Sequence, residues 1–523
     1  MKGSIPAYIL SIFLIGLGFI FITPPFEAFD ENAHYSRIIE TISNDYSPIQ
    51  KKTRIDSRIE NYEGPLPYGN GSLPFDNHLT YHKFFNAPYT ENFIQKYKKN
   101  SFDFSYSEGS IYNWQYQHPP LYYMVMGIFL SPFDSLTLHN QINFLRVISF
   151  LIALISVSIS VIAVQKISNI SNGIIGYYFY PIIFPMFFIE FSRIGNDSLC
   201  FLINSIIFYY SIIWYKNRNN FSLLAISLLL GVGILVKAFF IPIFIALIIF
   251  VAFIEQTTLK NKSRTLKSMI YLTLPFLAFF ILWSIFNSQF NKDMGLGSEL
   301  NELMHYPILK ILDNFSIQSF LRGLLVPIVT FSWSGTWSLT RLPVLMQLLF
   351  LIPSIYIAIC ILTYVNRQRI YSYHYLGILL LFFFYLALVA HVFISQILSG
   401  LGTSGGWYFH IFFPWIGLML TDAIKPLFLN RARKLILSWV VRFSLLFIFI
   451  VTWFNLTLYA GCSIKDDSKH FNFSGQFFCL DKIPEIIQNN LILNHTLFGL
   501  FCIVFGYIIL CYIIKNISIK QSI

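Results

Sequence analysis

The chain has 523 residues, 55% of them hydrophobic and only 12% charged, about half the charged share of an ordinary soluble domain. Apolar runs long enough to cross a bilayer recur along it, which excludes a water-soluble fold. The net charge of +11 would suit nucleic acid if it were gathered on one surface. Instead the basic residues fall in short loops between apolar runs: Lys216–Asn220, Lys260–Lys267, Asn366–Arg369, Lys425–Lys434 and the tail from Lys515. By the positive-inside rule these loops are cytoplasmic, so the charge reports topology and not nucleic-acid binding.

In chain order, Ile5 to Ile22 follows a single Lys2 and ends at Pro24-Pro25 without a small-residue cleavage site, so it reads as an uncleaved anchor. It leads outward into a polar stretch from Pro24 to His118 that holds 12 of the 25 acidic residues and reads as a folded extracytoplasmic loop. Further spans are expected at Ile142–Val164, Ile174–Phe191, Leu199–Tyr215, Leu223–Val236, Phe239–Phe253, Met269–Phe286, Val344–Tyr364, Tyr375–Ser395, Trp407–Leu420, Leu435–Tyr459 and Leu493–Ile514. With the anchor this makes 12 crossings and puts both termini in the cytoplasm.

Pro120 to Phe133 falls short of the ~20 residues a crossing needs. It is expected to be re-entrant or interfacial on the outer side, as is Ile317–Phe331, which Arg322 and Pro327 interrupt. The expected fold is therefore an all-α polytopic membrane protein of about 12 to 14 helices. Its parts are the anchor (1–23), a large outer loop (24–140), a membrane core (141–288), a second outer loop (289–343) and a C-terminal membrane portion (344–523) with an outer loop at 461–492. No P-loop, GxGxxG or CxxC motif occurs, so ATP-driven transport by this chain is not expected.

Four cysteines, Cys200, Cys360, Cys502 and Cys511, lie in apolar runs and read as small buried hydrophobes. Cys462 and Cys479 lie in a polar outer segment, where a disulfide persists.

Chemistry is expected on the outer face. In Glu27-Ala28-Phe29-Asp30-Glu31-Asn32-Ala33-His34, three carboxylates and an imidazole crowd into eight residues at the membrane boundary. Repulsion and partial desolvation there can raise one carboxyl's pKa, as a general base requires. If Asp30–Arg37 is helical, His34 lies one turn from Asp30 and can orient it. The plainer reading of the same residues is an acidic helix start stabilised by the helix dipole. His118, before Pro119-Pro120, marks the return to the membrane. Arg193 and Asn196-Asp197 form a short outer turn after Glu190, and ionisable groups at that depth are functional candidates. Lys237 interrupts an apolar stretch at its outer turn and needs an anionic partner, either a lipid phosphate or Asp197. Arg341, Trp407 and His410 add cationic and aromatic groups suited to a sugar phosphate, although interfacial belts also contain such residues.

In order, the anchor followed by Phe29-Asp30-Glu31-Asn32-Ala33-His34, then His118-Pro119-Pro120-Leu121-Tyr122-Tyr123, Arg146, Asn196-Asp197 and Gly233-Ile234-Leu235-Val236-Lys237 resemble the GT-C superfamily of polyprenyl-phosphate-sugar glycosyltransferases, within it a bacterial group of predicted multispan membrane proteins. The resemblance covers about the first 250 residues; beyond them only Gly406-Trp407-Tyr408 corresponds. It implies inverting transfer of a sugar from a polyprenyl-phosphate carrier to a cell-envelope glycan or lipid, such as an O-antigen, on the extracytoplasmic face of the plasma (inner) membrane. Asp30 is the implied base and Glu31 the next candidate. Asp197 matches an acidic outer-loop position, and Lys237 matches a basic position facing the carrier phosphate. Glu27, His34, His118, Arg193, Trp407 and His410 are expected around the substrates. The family often has Arg where Trp407 stands, so Arg341 or Arg322 is expected to supply that phosphate contact. No cofactor is expected to be required, although Glu27, Asp30, Glu31 and Asp197 offer ligands for a divalent cation. The alternatives are a flippase of lipid-linked glycans and an O-antigen polymerase or ligase.

A Cys462–Cys479 bridge closes a short loop worth roughly 3 kcal/mol on the chain-entropy view. In membrane-purified protein both thiols should resist alkylation until a reductant is added, as read by peptide mass spectrometry.

Overall fold

The computed structural model describes residues 4–47, 53–67, 79–86, 90–167, 174–259, 262–290, 315–333, 335–339, 349, 351–356, 358–360, 372–399, 404–428, 430–462 and 479–520. Among these residues, nine helices are long and apolar enough to cross a membrane: Ile5–Ile22, Leu138–Lys166, Asp197–Asn217, Phe240–Thr257, Lys262–Ile285, His374–Leu398, Gly406–Phe428, Arg431–Tyr459 and Thr496–Ile517. Their outward faces leave Ile155, Ile162, Leu282 and Phe505 exposed, apolar surface that a bilayer covers and water does not. The chain is an all-α polytopic membrane protein.

Two expected crossings differ, and a third lies mostly outside the described residues. Ile174–Phe191 divides into helices Ile175–Ile183 and Met186–Phe191. Pro185 disfavours helical backbone at the residue before it, and Phe184 sits at φ −124°, ψ 69°. The second is a helix over Asn220–Ile234, whose 15 residues reach roughly 22 Å, less than the hydrocarbon thickness. Of Val344–Tyr364, only residues 349, 351–356 and 358–360 are described. The second outer loop, Arg341 included, lies mostly outside the described residues. Leu121–Leu130 is a 10-residue helix running into the 3-10 turn Ser131–Phe133, half the length of a crossing.

The segment between the first helix and Leu138 carries the strand pairing seen among the described residues. Arg54–Asp56 runs antiparallel to Glu108–Tyr112, with Arg54 opposite Tyr112. Cys462 and Cys479 are joined by a disulfide, their Cα atoms 6.4 Å apart.

Two devices fix this segment to the bundle. The first and last helices approach through glycine: a Cβ on Gly18 would lie 2.7 Å from the Gly499 carbonyl oxygen, and one on Gly499 2.8 Å from that of Gly18. Such contacts need small residues. Just before the last helix, Asn494 Nδ2 donates to the carbonyls of Ile20 (3.0 Å) and Thr23 (2.8 Å).

The second device is a buried ion pair. Arg146, on the Leu138–Ile167 helix, donates through Nε and Nη2 to the two oxygens of Glu31 at 2.7 and 2.6 Å. Its remaining N–H groups reach the carbonyls of Ile20, Thr23 and Pro24. Both side chains are 0% exposed. One guanidinium thus holds the end of the first helix and the start of helix Glu31–Ser43.

Removing one partner of such a pair leaves a charge buried alone, at about 3–5 kcal/mol. Arg146→Met and Glu31→Gln should therefore each lower the melting temperature and the folded yield of detergent-solubilised protein.

Candidate active site

The turn after the first helix is made by residues, not glycines, in left-handed backbone: Phe26 at φ 62° and Asp30 at φ 57°. Aspartate tolerates that region better than most residues. As a result Asp30 stands at the N-cap of helix Glu31–Ser43 but makes no side-chain cap. The usual service of an N-cap carboxylate is therefore not what Asp30 performs here. Its side chain turns to the returning loop, where Trp114 Nε1 donates to Oδ1 at 3.0 Å. Asp30 is half-buried and, among the described residues, no arginine or lysine pairs with it.

The three clustered carboxylates thus part company. Each oxygen of Glu31 accepts twice: Oε1 from Arg146 and the Ile194 N–H, Oε2 from Arg146 and the Phe26 N–H. It has no free lone pair for a proton and serves the architecture. Glu27 is buried and accepts from Tyr81 (2.7 Å), Thr336 (2.5 Å), and the Ser338 N–H (2.8 Å) and hydroxyl (3.0 Å). It ties the turn to residues 336–338 and stands among hydroxyls, with no cation paired to it among the described residues. Burial raises the Glu27 carboxyl's pKa against these hydrogen bonds. Asp30 is left as the carboxylate with room to react. Burial raises its pKa as well, opposed by the charge of Arg193, the Trp114 hydrogen bond and the charge of Lys237.

His34 does not orient Asp30. The helix begins at Glu31, so Asp30 is not on its face, and His34 Nδ1 instead meets the Tyr123 hydroxyl at 3.1 Å. Burial lowers its pKa well below the usual imidazole value, and Arg193, His118 and Lys237 add to this. His118 is likewise held neutral, pushed down to about 3 by burial and then by Lys237. Both rings are neutral donors or acceptors beside the carboxylate.

The cations come from the next turn. Arg193 grips Glu190 through Nε (3.1 Å) and Nη2 (2.6 Å), reaches Asp197 at 2.9 Å, and donates through Nη1 to the Phe29 carbonyl at 2.9 Å. That last bond fixes the residue before Asp30. Gly195 makes room for this, since a Cβ there would lie 2.5 Å from Arg193 Nη1. Lys237 pairs with Asp197 at 2.8 Å and lies 4.2 and 4.4 Å from the ring centroids of Phe239 and Tyr408. Of the two partners open to Lys237, the ion pair with Asp197 is present. Asn196, 0% exposed, has neither amide atom hydrogen-bonded.

Gly406-Trp407-Tyr408 closes the group. Trp407 stacks on Phe29, rings 4.3 Å apart at 10°, and Tyr408 faces Lys237. A Cβ on Gly406 would lie 1.8 Å from the Pro327 carbonyl oxygen, so only glycine lets this turn pass helix Ile317–Phe331. His410 joins Tyr180 (2.8 Å) to the Phe331 carbonyl (3.1 Å), with both ring nitrogens occupied by packing partners. Arg322 is exposed on its helix, and Arg341 lies outside the described residues. Asp30, His118, Arg193, Asp197, Lys237 and Trp407 therefore gather at one end of the bundle, whereas Glu31, Glu27 and His410 are taken up in holding it. Trp114 belongs to the site but carries no motif of its own, and Tyr123, read only as part of the His118–Tyr123 motif, is the partner of His34. A tryptophan in the polar return loop just ahead of His118 was the available sign.

Among the described residues no group of three or more His, Cys, Asp and Glu side chains converges as a metal-ligand set. Glu31 and Asp197 spend their oxygens on arginine and lysine.

Residues 13–419 match a family described as "Predicted membrane protein (DUF2142)". No curated protein matches. A similar solved structure is that of ArnT from Cupriavidus metallidurans bound to undecaprenyl phosphate, at 12% identity and a TM-score of 0.43, over 94% of this chain and 76% of that one.

The differing surroundings of the carboxylates give a folding test. A carboxyl whose folded pKa is raised opposes folding above its unfolded pKa, and this opposition fades as pH falls. At neutral pH, Asp30→Asn should melt no lower than the parent, in contrast to Glu31→Gln, by thermal-shift measurement in detergent.

Proposed function

We propose that this chain, which belongs to the DUF2142 family of predicted membrane proteins, is a glycosyltransferase that moves a sugar from a polyprenyl-phosphate carrier to a glycan or lipid acceptor of the cell envelope. The observation that carries the reading is the division of labour among Glu27, Asp30 and Glu31. Glu31 is spent on Arg146, and of Glu27 and Asp30, both raised in pKa and without a cation partner among the described residues, only Asp30 is half-open.

In this reading Asp30 removes the proton of the acceptor hydroxyl. The oxygen attacks the anomeric carbon as the bond to the carrier phosphate breaks, inverting the configuration. The phosphate leaves with its electron pair and needs positive charge, not a proton. Lys237 supplies that charge, with two N–H groups beyond the one given to Asp197. Arg193 keeps Asp30 in place through Phe29, and neutral His118 and His34 add polarity without competing for the phosphate. Charge neutralisation is thus assigned to Lys237 and not to a metal or nucleotide. The bundle end bearing Asp30 faces outward, both termini are cytoplasmic, and the carrier arrives already oriented in the bilayer. A flippase would more naturally string charges along its path, whereas these gather at one end.

In proteoliposomes supplied with undecaprenyl-phosphate hexoses and envelope lipid acceptors, Asp30→Asn should lose transfer by about 10²–10⁴-fold. Lys237→Met should lose it by about 10²-fold. Full activity of Asp30→Asn would overturn the assignment of the base.

The acid limb of the rate profile gives a second handle. The base works as carboxylate, so transfer falls as pH drops through the raised Asp30 pKa. Trp114→Phe removes a hydrogen bond that favours the charged form, so its limb should move to higher pH. An unmoved limb would detach Trp114 from the chemistry.

A further inference from the structure

A groove of about 590 Å³ lies away from Asp30, between residues 94–99 and helix Ile483–Leu493. Its walls are Ile94, Ile487, Leu491 and Ile492 on the apolar side, with Lys98 and Lys99 as the charged groups and no acidic residue among the lining. Helix Ile483–Leu493 is only 11 residues long, and Ile483 (40% exposed) and Leu491 (41%) leave apolar surface uncovered along it, as does Leu480 (67%) in the turn before it. That pattern fits a helix lying at the bilayer surface.

The position agrees. Asn494, directly after this helix, is bonded to the end of the first helix, and Leu497 and Phe498, at the start of the last helix, are exposed. The groove therefore opens where membrane helices emerge from the bilayer. Among the described residues its charge is uncompensated from within. Lys96 is paired with Glu63 at 2.7 Å, but Lys98 reaches only the Ile492 carbonyl at 2.7 Å and Lys99 stands exposed. Partial burial lowers the pKa of Lys98, as expected for an ammonium with no carboxylate at hand.

We infer that this groove seats an anionic phospholipid of the surrounding bilayer, its acyl chain on Ile487 and Leu491 and its phosphate between Lys98 and Lys99. Acyl contact explains the open apolar helix face, and the headgroup supplies the charge that the two lysines lack. The site is separate from the sugar-transfer centre and does not depend on that assignment.

The full chain, reconstituted in nanodiscs of phosphatidylcholine with a minor share of phosphatidylglycerol, tests this by native mass spectrometry of retained lipid, with a photoactivatable phosphatidylglycerol to map the contact. Phosphatidylglycerol should be enriched over phosphatidylcholine and crosslink to residues 94–99 and 483–492. Each lysine removed should lower the enrichment about fivefold. Lys99→Ala alters an exposed side chain and keeps the fold, and Lys98→Gln keeps a donor for the Ile492 carbonyl while removing the charge. Equal enrichment in parent and both variants, crosslinks elsewhere, or a second copy of the chain crosslinked in the groove would each overturn the inference.

Discussion

Everything at the candidate site hangs from the buried pair of Arg146 and Glu31. An arginine in a membrane helix must find partners for all its N–H groups, and here it finds a carboxylate and the carbonyls left open where the first helix ends. The pair makes the turn from Thr23 to Glu31 rigid enough to hold Phe26 and Asp30 in left-handed backbone, a strained state that persists only when its surroundings impose it. Arg193 applies the second constraint by holding the Phe29 carbonyl from the other side. Between these two guanidinium groups, Asp30 is aimed without being neutralised.

The same logic explains how neighbouring acids acquire different characters. Glu31 is fully spent on an arginine, Glu27 sits among hydroxyls, and Asp30 keeps one indole donor and a half-open face. Chemistry is set by partners and not by residue type. Lys237 repeats the theme: Asp197 holds it in place while two aromatic rings shield it from water, so its charge stays effective nearby.

Much of this was legible in the chain. Long apolar runs announced the crossing helices, and the crowding of Glu27, Asp30, Glu31 and His34 at a membrane boundary pointed to the turn that the candidate site is built on. What could not be read was backbone handedness and distant pairing. Helical spacing put His34 on a face with Asp30, but positive φ at Asp30 removes it from that face and gives His34 to Tyr123. Glu31 looked like a spare base because its arginine lies 115 residues away. Trp114 belongs to no period or motif, and its role exists only once the return loop folds over the turn. Pro185 was visible as a residue, yet hydropathy averaged over it and returned one span where the backbone makes two helices.

The grip of Asn494 on Ile20 and Thr23 spans 474 and 471 positions of sequence. The carbonyls it occupies are shared with Arg146, so the cradle beneath Asp30 has one wall made by the link between helices Ile483–Leu493 and Thr496–Lys520. Contacts of such separation form late, after the loop-closure entropy of all the intervening residues has been met. The turn that carries Asp30 is therefore complete only once the segment around Asn494 has docked on it. A lesion at the distant Asn494 link is in effect a lesion at this turn.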